Sequence, residues 1–219
     1  MSKTKTFVAT ISKQPEGKLD LLHYVPVGCK ELDYGRTRFP IIPAIAHYGK
    51  GEESIKIIVV LIDNENCVNN YKKYFRPEVE QLCEELGVKP DIVEVGTPDN
   101  ENIDTHIKLF VDLIGKIGGN EELYACTSYG TKPTPMVISL ALNYAHRLIE
   151  NTSVELIVYG LFNHGPKKEG SLYDVTPLFF MGSIVNKLAE MNAPNPEKTI
   201  RLLLGQDVAD GTGSDERGE

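Results

Sequence analysis

Ile55-Lys56-Ile57-Ile58-Val59-Val60-Leu61-Ile62, followed at once by Asp63-Asn64, is the stretch whose reading decides the fold. An almost unbroken apolar, largely β-branched run of this length reads as a strand buried on both faces, and such strands belong to parallel sheets covered by helices. Working upstream, Thr6 to Ser12 reads as the first strand and Phe39 to Tyr48 as a short helix, whose Pro40 and Pro43 are tolerated only in a first turn. Between them, Lys13 to Arg38 is hard to read beyond a turn at Pro15-Glu16-Gly17 and an extended segment from Leu21 to Val27. Downstream, helical spacing from Val68 to Leu86 closes at Gly87, and Asp91 to Val95 is a third strand. Caps at Asp99 to Asn102 open a helix to about Ile117. Leu123 to Ser128 is the fourth strand, and Pro133 to Glu150 the fourth helix, with Met136, Leu140, Ala141, Tyr144 and Leu148 as its expected core stripe. Val154 to Leu161 and Ser171 to Val175, joined by a polar turn around Gly165-Pro166-Lys167-Lys168, form an antiparallel hairpin expected to close the sheet edge. A helix from Pro177 to Met191 follows. The expectation is therefore an α/β, Rossmann-like, mostly parallel six-stranded sheet in a domain of residues 1–191, with 192–219 a linker or disordered tail.

Bulk properties narrow the function. The chain has 219 residues, 41% hydrophobic and 25% charged, and a formal net charge of −8, which argues against a protein that grips long nucleic acid through counterion release. A compact nucleotide needs only a few local donors. The four cysteines, Cys29, Cys67, Cys83 and Cys126, are scattered without a C-x-x-C pair, as expected of structural free thiols in a reducing compartment. No apolar run is long enough to span a bilayer and no signal-type segment opens the chain, so a cytoplasmic location is expected.

In an open parallel sheet, ligands bind beyond the carboxyl ends of the strands, at helix N-termini. The turn Thr127-Ser128-Tyr129-Gly130-Thr131-Lys132 ends the fourth strand in such a place. Thr127 and Ser128 offer hydroxyls, Gly130 allows close backbone approach, Thr131 can cap the helix, and Lys132 brings a point charge suited to phosphate. The bland reading of the same residues is a helix cap beside a solvated lysine. Pro133 after Lys132 separates this turn from the G-x-x-x-x-G-K-[ST] phosphate loop, and no G-x-G-x-x-G follows the first strand. No Cys/His cluster points to a metal, and no cofactor is expected. Of the five histidines, His164 is the least ordinary, because its loop is placed to overhang the site.

The stretch Leu123 to Lys132, with Pro133, Met136 and an apolar helix after it, resembles the T-G-G-T-K-x-M motif of CARF domains, the Rossmann-like sensors of type III CRISPR systems. Tyr173-Asp174-Val175-Thr176-Pro177-Leu178 is similar to a segment that ends such domains in one larger subfamily, and the order of elements matches over about residues 5 to 191. The resemblance implies a homodimer that binds cyclic oligoadenylate, most often the four-membered ring, across a two-fold axis. It places Thr10, Ile11 and Ser12 at the end of the first strand, and Thr127, Ser128, Tyr129, Gly130, Thr131 and Lys132 after the fourth, around that ring. Tyr129 stands where the family often has glycine, and its ring is a candidate for stacking on a base. Arg38 is a further candidate.

Some CARF proteins cut their ring without metal, by attack of a ribose 2′-hydroxyl on the adjacent phosphate. In that reading Ser12 would orient the hydroxyl and Lys132 would balance charge on the phosphorane. Both are equally good ground-state binders, which by itself gives no rate. Relatives usually carry an effector domain after the sensor, and none is legible here. The chain is thus expected to be a stand-alone sensor, a signal-removing enzyme, or the sensory part of a longer protein. Two further readings are an α/β interaction module and a hydrolase using Asp63 or Asp174.

Overall fold

The computed structural model describes residues 3–162 and 169–205. They divide into two compact units, Met1–Thr176 and Pro177–Glu219.

The first unit is built on an eight-stranded sheet in the order β3-β2-β8-β7-β6-β1-β4-β5. The strands are β1 (Thr4–Thr10), β2 (Leu22–Val27), β3 (Arg36–Thr37), β4 (Ser54–Asp63), β5 (Lys89–Pro98), β6 (Glu121–Cys126), β7 (Ser153–Phe162) and β8 (Glu169–Asp174). Pairing is parallel from β7 through β6, β1 and β4 to β5, and antiparallel between β7 and β8. The run that opened the reading is β4. Ile55, Ile57, Ile58, Val59, Val60 and Ile62 on it are all at most 1% exposed, as a strand covered on both faces requires.

The sheet has two strands more than the six expected. The additions are β2, which pairs parallel with β8, and the two-residue β3 beyond it, so the β7–β8 hairpin lies inside the sheet and does not close its edge. The segment from Lys13 to Arg38 was hard to read because β2 carries Pro26 and has exposed Val25 and Val27, so neither strict alternation nor a continuous apolar run marks it.

Helix α1 (Ile42–Tyr48) has its proline in the first turn. A continuous helical stretch follows β4: α2 (Glu65–Asn70), a π-helical turn (Tyr71–Phe75) and α3 (Arg76–Leu86), ended by Gly87 in the left-handed region. Buried residues of α1, α2, the π turn and α3 cluster with Phe7 and Ala9, on one face of β1, and with Ile11 just past its end. Strand alternation sends Thr6, Val8 and Thr10 to the other face. That face is covered by α4 (Ile103–Ile114), which buries His106, Leu109 and Leu113, and α5 (Thr134–Leu148), which buries Val137, Ile138, Ala141, Leu142 and Ala145.

The expected core stripe of α5 is corrected by these burials. Ala141 is inside, but Met136, Leu140 and Leu148 are 67%, 57% and 71% exposed and Tyr144 is half-buried. Helix α5 is apolar around most of its circumference, so periodicity alone picked the outer row in place of the inner one.

The second unit contains α6 (Thr176–Glu190, which begins at the boundary) and α7 (Pro196–Leu203). The segment read as a linker or tail from residue 192 thus folds in part into an amphipathic helix, its Arg201 paired to Glu197 one turn earlier. The turn at residues 165–168 and His164 lie outside the described residues.

Candidate anion-binding site at the switch point

The chain leaves β1 and β4 toward helices on one face of the sheet and leaves β6 into α5 on the other. Because β1 and β6 are neighbours, their carboxyl ends bound the crevice where an open α/β sheet takes its ligands. Thr10-Ile11-Ser12 and Thr127–Lys132 are the segments that leave those two strands. Two stretches more than a hundred residues apart in sequence are brought to one place.

Their side chains differ in availability. Ile11 is fully buried, with its N–H bonded to the Val60 carbonyl at 3.2 Å, so its contribution is structural. The Ser12 hydroxyl is 1% exposed and accepts from the Gln14 N–H at 3.1 Å, which shapes the loop after β1. The Thr10 hydroxyl is buried and has no partner among the described residues, an open hydrogen-bonding valence at the end of β1. In the second segment, Thr127 Oγ1 donates to the Val158 carbonyl at 3.3 Å and Ser128 Oγ accepts from the Gly160 N–H at 2.7 Å; both hydroxyls tie the end of β6 to β7.

Tyr129 is 8% exposed, donates its hydroxyl to the Arg38 carbonyl at 2.8 Å, and packs against Phe39 and Phe162. Burial holds that phenol well above its ordinary pKa. Its ring is committed to the core and leaves no face for a base, so the stacking role open in the sequence is closed by packing. The same bond brings Arg38 beside the turn. The Arg38 guanidinium lies 4.4 Å from the centre of the Tyr74 ring, a cation–π arrangement on a half-exposed surface.

The exposed residues of the turn are Gly130 and Lys132, while Thr131 is half-buried with its hydroxyl 3.1 Å from that of Thr134. Gly130 has φ 109°, and a Cβ there would stand 2.7 Å from the Thr134 Cβ, so the path requires glycine. Thr134 Oγ1 accepts from the Thr131 N–H at 3.1 Å and fixes the next step of the turn. Pro133 and Pro135 remove two amides from the start of α5, which therefore offers fewer donors than an ordinary helix N-terminus. In compensation, the N–H groups of Gly130 and Lys132 take no backbone partner and the Lys132 ammonium makes no ion pair among the described residues. Two amides and one lysine lie in a short turn whose path Gly130 and Thr134 fix. Backbone amides beside a lysine are chemistry suited to an anion such as phosphate.

Two residues not singled out in the sequence complete the rim. Asn70, 1% exposed on α2, donates to the carbonyls of Ser12 and Gln14, both at 2.9 Å, and pins the loop after β1 from beneath. Lys13 pairs with Asp99, whose other oxygen accepts from Asn64 at 2.9 Å. That pairing holds the Asp99 carboxyl below its ordinary pKa. Nothing in residue type or spacing marks either residue, since both roles depend on which loops meet.

Of the two carboxylates of the hydrolase reading, Asp63 is exposed at the end of β4. Asp174 accepts from the Thr176 N–H at 2.8 Å as a cap. Among the described residues no group of three or more His, Cys, Asp or Glu side chains could hold a metal ion, and no helix is long and apolar enough to cross a membrane. All four cysteines are buried and unpaired, with burial pushing the Cys67 and Cys83 thiols up to about 11.

No model of a known protein family matches the chain, and no curated protein is significantly similar to it.

Proposed function

We propose that this protein is a cytoplasmic sensor that binds a cyclic oligoadenylate, with the tetra-adenylate ring as its preferred ligand, at a homodimer interface in type III CRISPR antiviral defence. The observation that carries the reading is the Lys132 ammonium, which makes no ion pair among the described residues, with the amides of Gly130 and Lys132, which take no backbone partner among them, set at the switch point beside the end of β1. That grouping supplies the phosphate-binding part of the argument. The cyclic adenylate part rests on the resemblance of Thr127–Lys132 and Tyr173–Leu178 to CARF segments. A ring of alternating riboses and phosphates that carries its adenines outward suits a protein that offers one short cationic turn per copy, because a two-fold presents that turn twice.

Ring cleavage is the less supported variant. Ser12, its expected aligning residue, is buried and engaged with Gln14, a position better suited to shaping the loop than to touching a ribose.

The test is calorimetric titration with cyclic tri-, tetra- and hexa-adenylate, and chromatography of the same mixtures after prolonged metal-free incubation. Binding near one ring per two chains, weakened at least tenfold by Lys132→Ala without a change in melting temperature, is the expected result. Linear products would reassign the protein as a ring nuclease. Absence of binding to every ring would return the turn to an ordinary helix start.

A further inference from the structure

Lys13 follows Ser12 directly, which puts a cation at the carboxyl end of β1, yet its ammonium is engaged away from the turn after β6. In the sheet order β6-β1-β4-β5 the pairing runs across β4 to Asp99, just past the end of β5. Asn64, just past the end of β4, donates to the other Asp99 oxygen at 2.9 Å. The turn that carries Lys132 leaves the strand on the opposite side of β1, and neighbouring strands lie only about 4.8 Å apart.

We propose that Lys13 is a second cation of the anion site held in reserve: when a phosphate occupies the turn after β6, the Lys13 ammonium leaves Asp99 and binds that phosphate. The proposal rests on the anion-binding reading of the turn and adds to it a competitor built into the protein. Three observations favour the exchange. First, the backbone on either side of Lys13 is fixed while its side chain is not. Asn70 donates to the Ser12 and Gln14 carbonyls, both at 2.9 Å, and the Ser12 hydroxyl accepts from the Gln14 N–H at 3.1 Å. The flexible four-carbon stem can therefore change rotamer with no movement of the loop. Second, the resting pair is easily broken. The Lys13 and Asp99 side chains are 32% and 29% exposed, and an ion pair so open to water contributes little. Asp99, held below its ordinary pKa by Lys13 first and Asn64 second, keeps Asn64 as a donor and stays ionised at neutral pH after the exchange. Third, each strand end supplies one cation. In a chain of net charge −8, Lys132 is the one basic residue of Thr127–Lys132 and Lys13 the one basic residue between Thr10 and Gln14. The Thr10 hydroxyl, 3% exposed and without a partner among the described residues, is a further donor left open at that end of β1.

Asp99 then acts on the site without touching its ligand. It lowers the apparent affinity by the fraction of molecules in which it holds Lys13. The anion that takes Lys13 also unties the loop after β1 from the loops after β4 and β5, so occupancy of the turn is felt two strands away.

The full chain is titrated calorimetrically with inorganic pyrophosphate and, separately, with cyclic tetra-adenylate. Wild type, Lys13→Met, Asp99→Asn and the double variant are compared, each checked for folding by circular dichroism at pH 7. Lys13→Met is expected to weaken both ligands about tenfold and Asp99→Asn to tighten both about threefold, and Asp99→Asn should change nothing once Lys13 is methionine. Carbon-13 NMR of the Asp99 carboxyl gives a readout that a merely structural pair would not move: ligand should raise its pKa toward the ordinary value in wild type and leave it unmoved in Lys13→Met. If Asp99→Asn tightens binding equally with and without Lys13, the effect is removal of a repulsive charge and the exchange is overturned, as it is if Lys13→Met binds like wild type. Lys13-dependent pyrophosphate binding with no ring binding would keep the exchange and remove the cyclic adenylate reading. Ring binding indifferent to Lys13 would do the reverse, and absence of binding to either ligand would remove both.

Discussion

Replacing Gly130 by alanine asks whether the turn at the end of β6 is as constrained as its geometry implies. At φ 109° a non-glycine residue pays about 1–3 kcal/mol in backbone strain alone. The added methyl would also stand 2.7, 2.8 and 2.9 Å from the Cβ, Cγ2 and Oγ1 of Thr134, all on a side chain fixed at the start of α5. Relieving that overlap means displacing Thr134 and losing the bond from the Thr131 N–H to its Oγ1, a loss of about 1 kcal/mol. The two effects together give a destabilisation of about 2–4 kcal/mol, or a fall of roughly 5–15 °C in Tm for a chain of this length. Equilibrium urea unfolding and a thermal melt measure it. Thr134→Ala in the same chain removes two of the three crowded atoms, so the double variant should lose less than the sum of the singles. A Gly130→Ala protein within about 0.5 kcal/mol of wild type would show that the turn is soft and would refute the argument for a preformed phosphate cradle.

Asn70→Ala should cost about 2–3 kcal/mol by leaving the Ser12 and Gln14 carbonyls without their shared donor, and should raise proteolytic cleavage between residues 12 and 18 in the native state; unchanged cleavage would argue against the clamp. Lys56→Met strips Glu121, 5% exposed, of its 2.8 Å partner, and should destabilise by about 3–5 kcal/mol in urea unfolding, whereas a loss under 1 kcal/mol would mean the carboxylate finds water. Lys13 and Asn64 hold the Asp99 carboxyl below its ordinary pKa, so their contribution is complete above the unfolded value of about 3.9 and disappears as pH falls through the lower folded one. Asp99→Asn should therefore flatten stability against pH in that acid window, and acid limbs that superimpose on wild type would count against the pairing.

The parallel core was legible because burial on both faces leaves a strand little choice but unbroken branched apolar residues, and Ile55 to Ile62 obeys that constraint. The turn after β6 was legible for a related reason, since few residue types fit a glycine-dependent path into a helix. Accessibility within the turn was not. Whether Tyr129 faces out or in depends on Phe39, Phe162 and the Arg38 carbonyl, which come from other parts of the chain. The extended segment Leu21 to Val27 was legible but its place in the sheet was not, because β2 and β3 are short and half-exposed, and Asn70 was missed because nothing local predicts that an amide will reach two carbonyls more than fifty residues away. The wrong row was chosen on α5 because two apolar rows on one helix look alike until one is seen to be covered by the sheet.

The π turn from Tyr71 to Phe75 gives the long helix after β4 a phase offset. It accommodates one residue beyond the α repeat, and one residue on an α-helix is a rotation of about 100°. The offset lets the amino-terminal segment aim Asn70 at the loop after β1 while the carboxyl-terminal segment aims Phe75, Val79 and Leu82 at the sheet. Deleting a single residue there would yield a more regular helix able to satisfy only one of those two obligations. The irregularity works as a gear between core packing and the crevice, so homologues that lack it should hold their β1 loop by some other means.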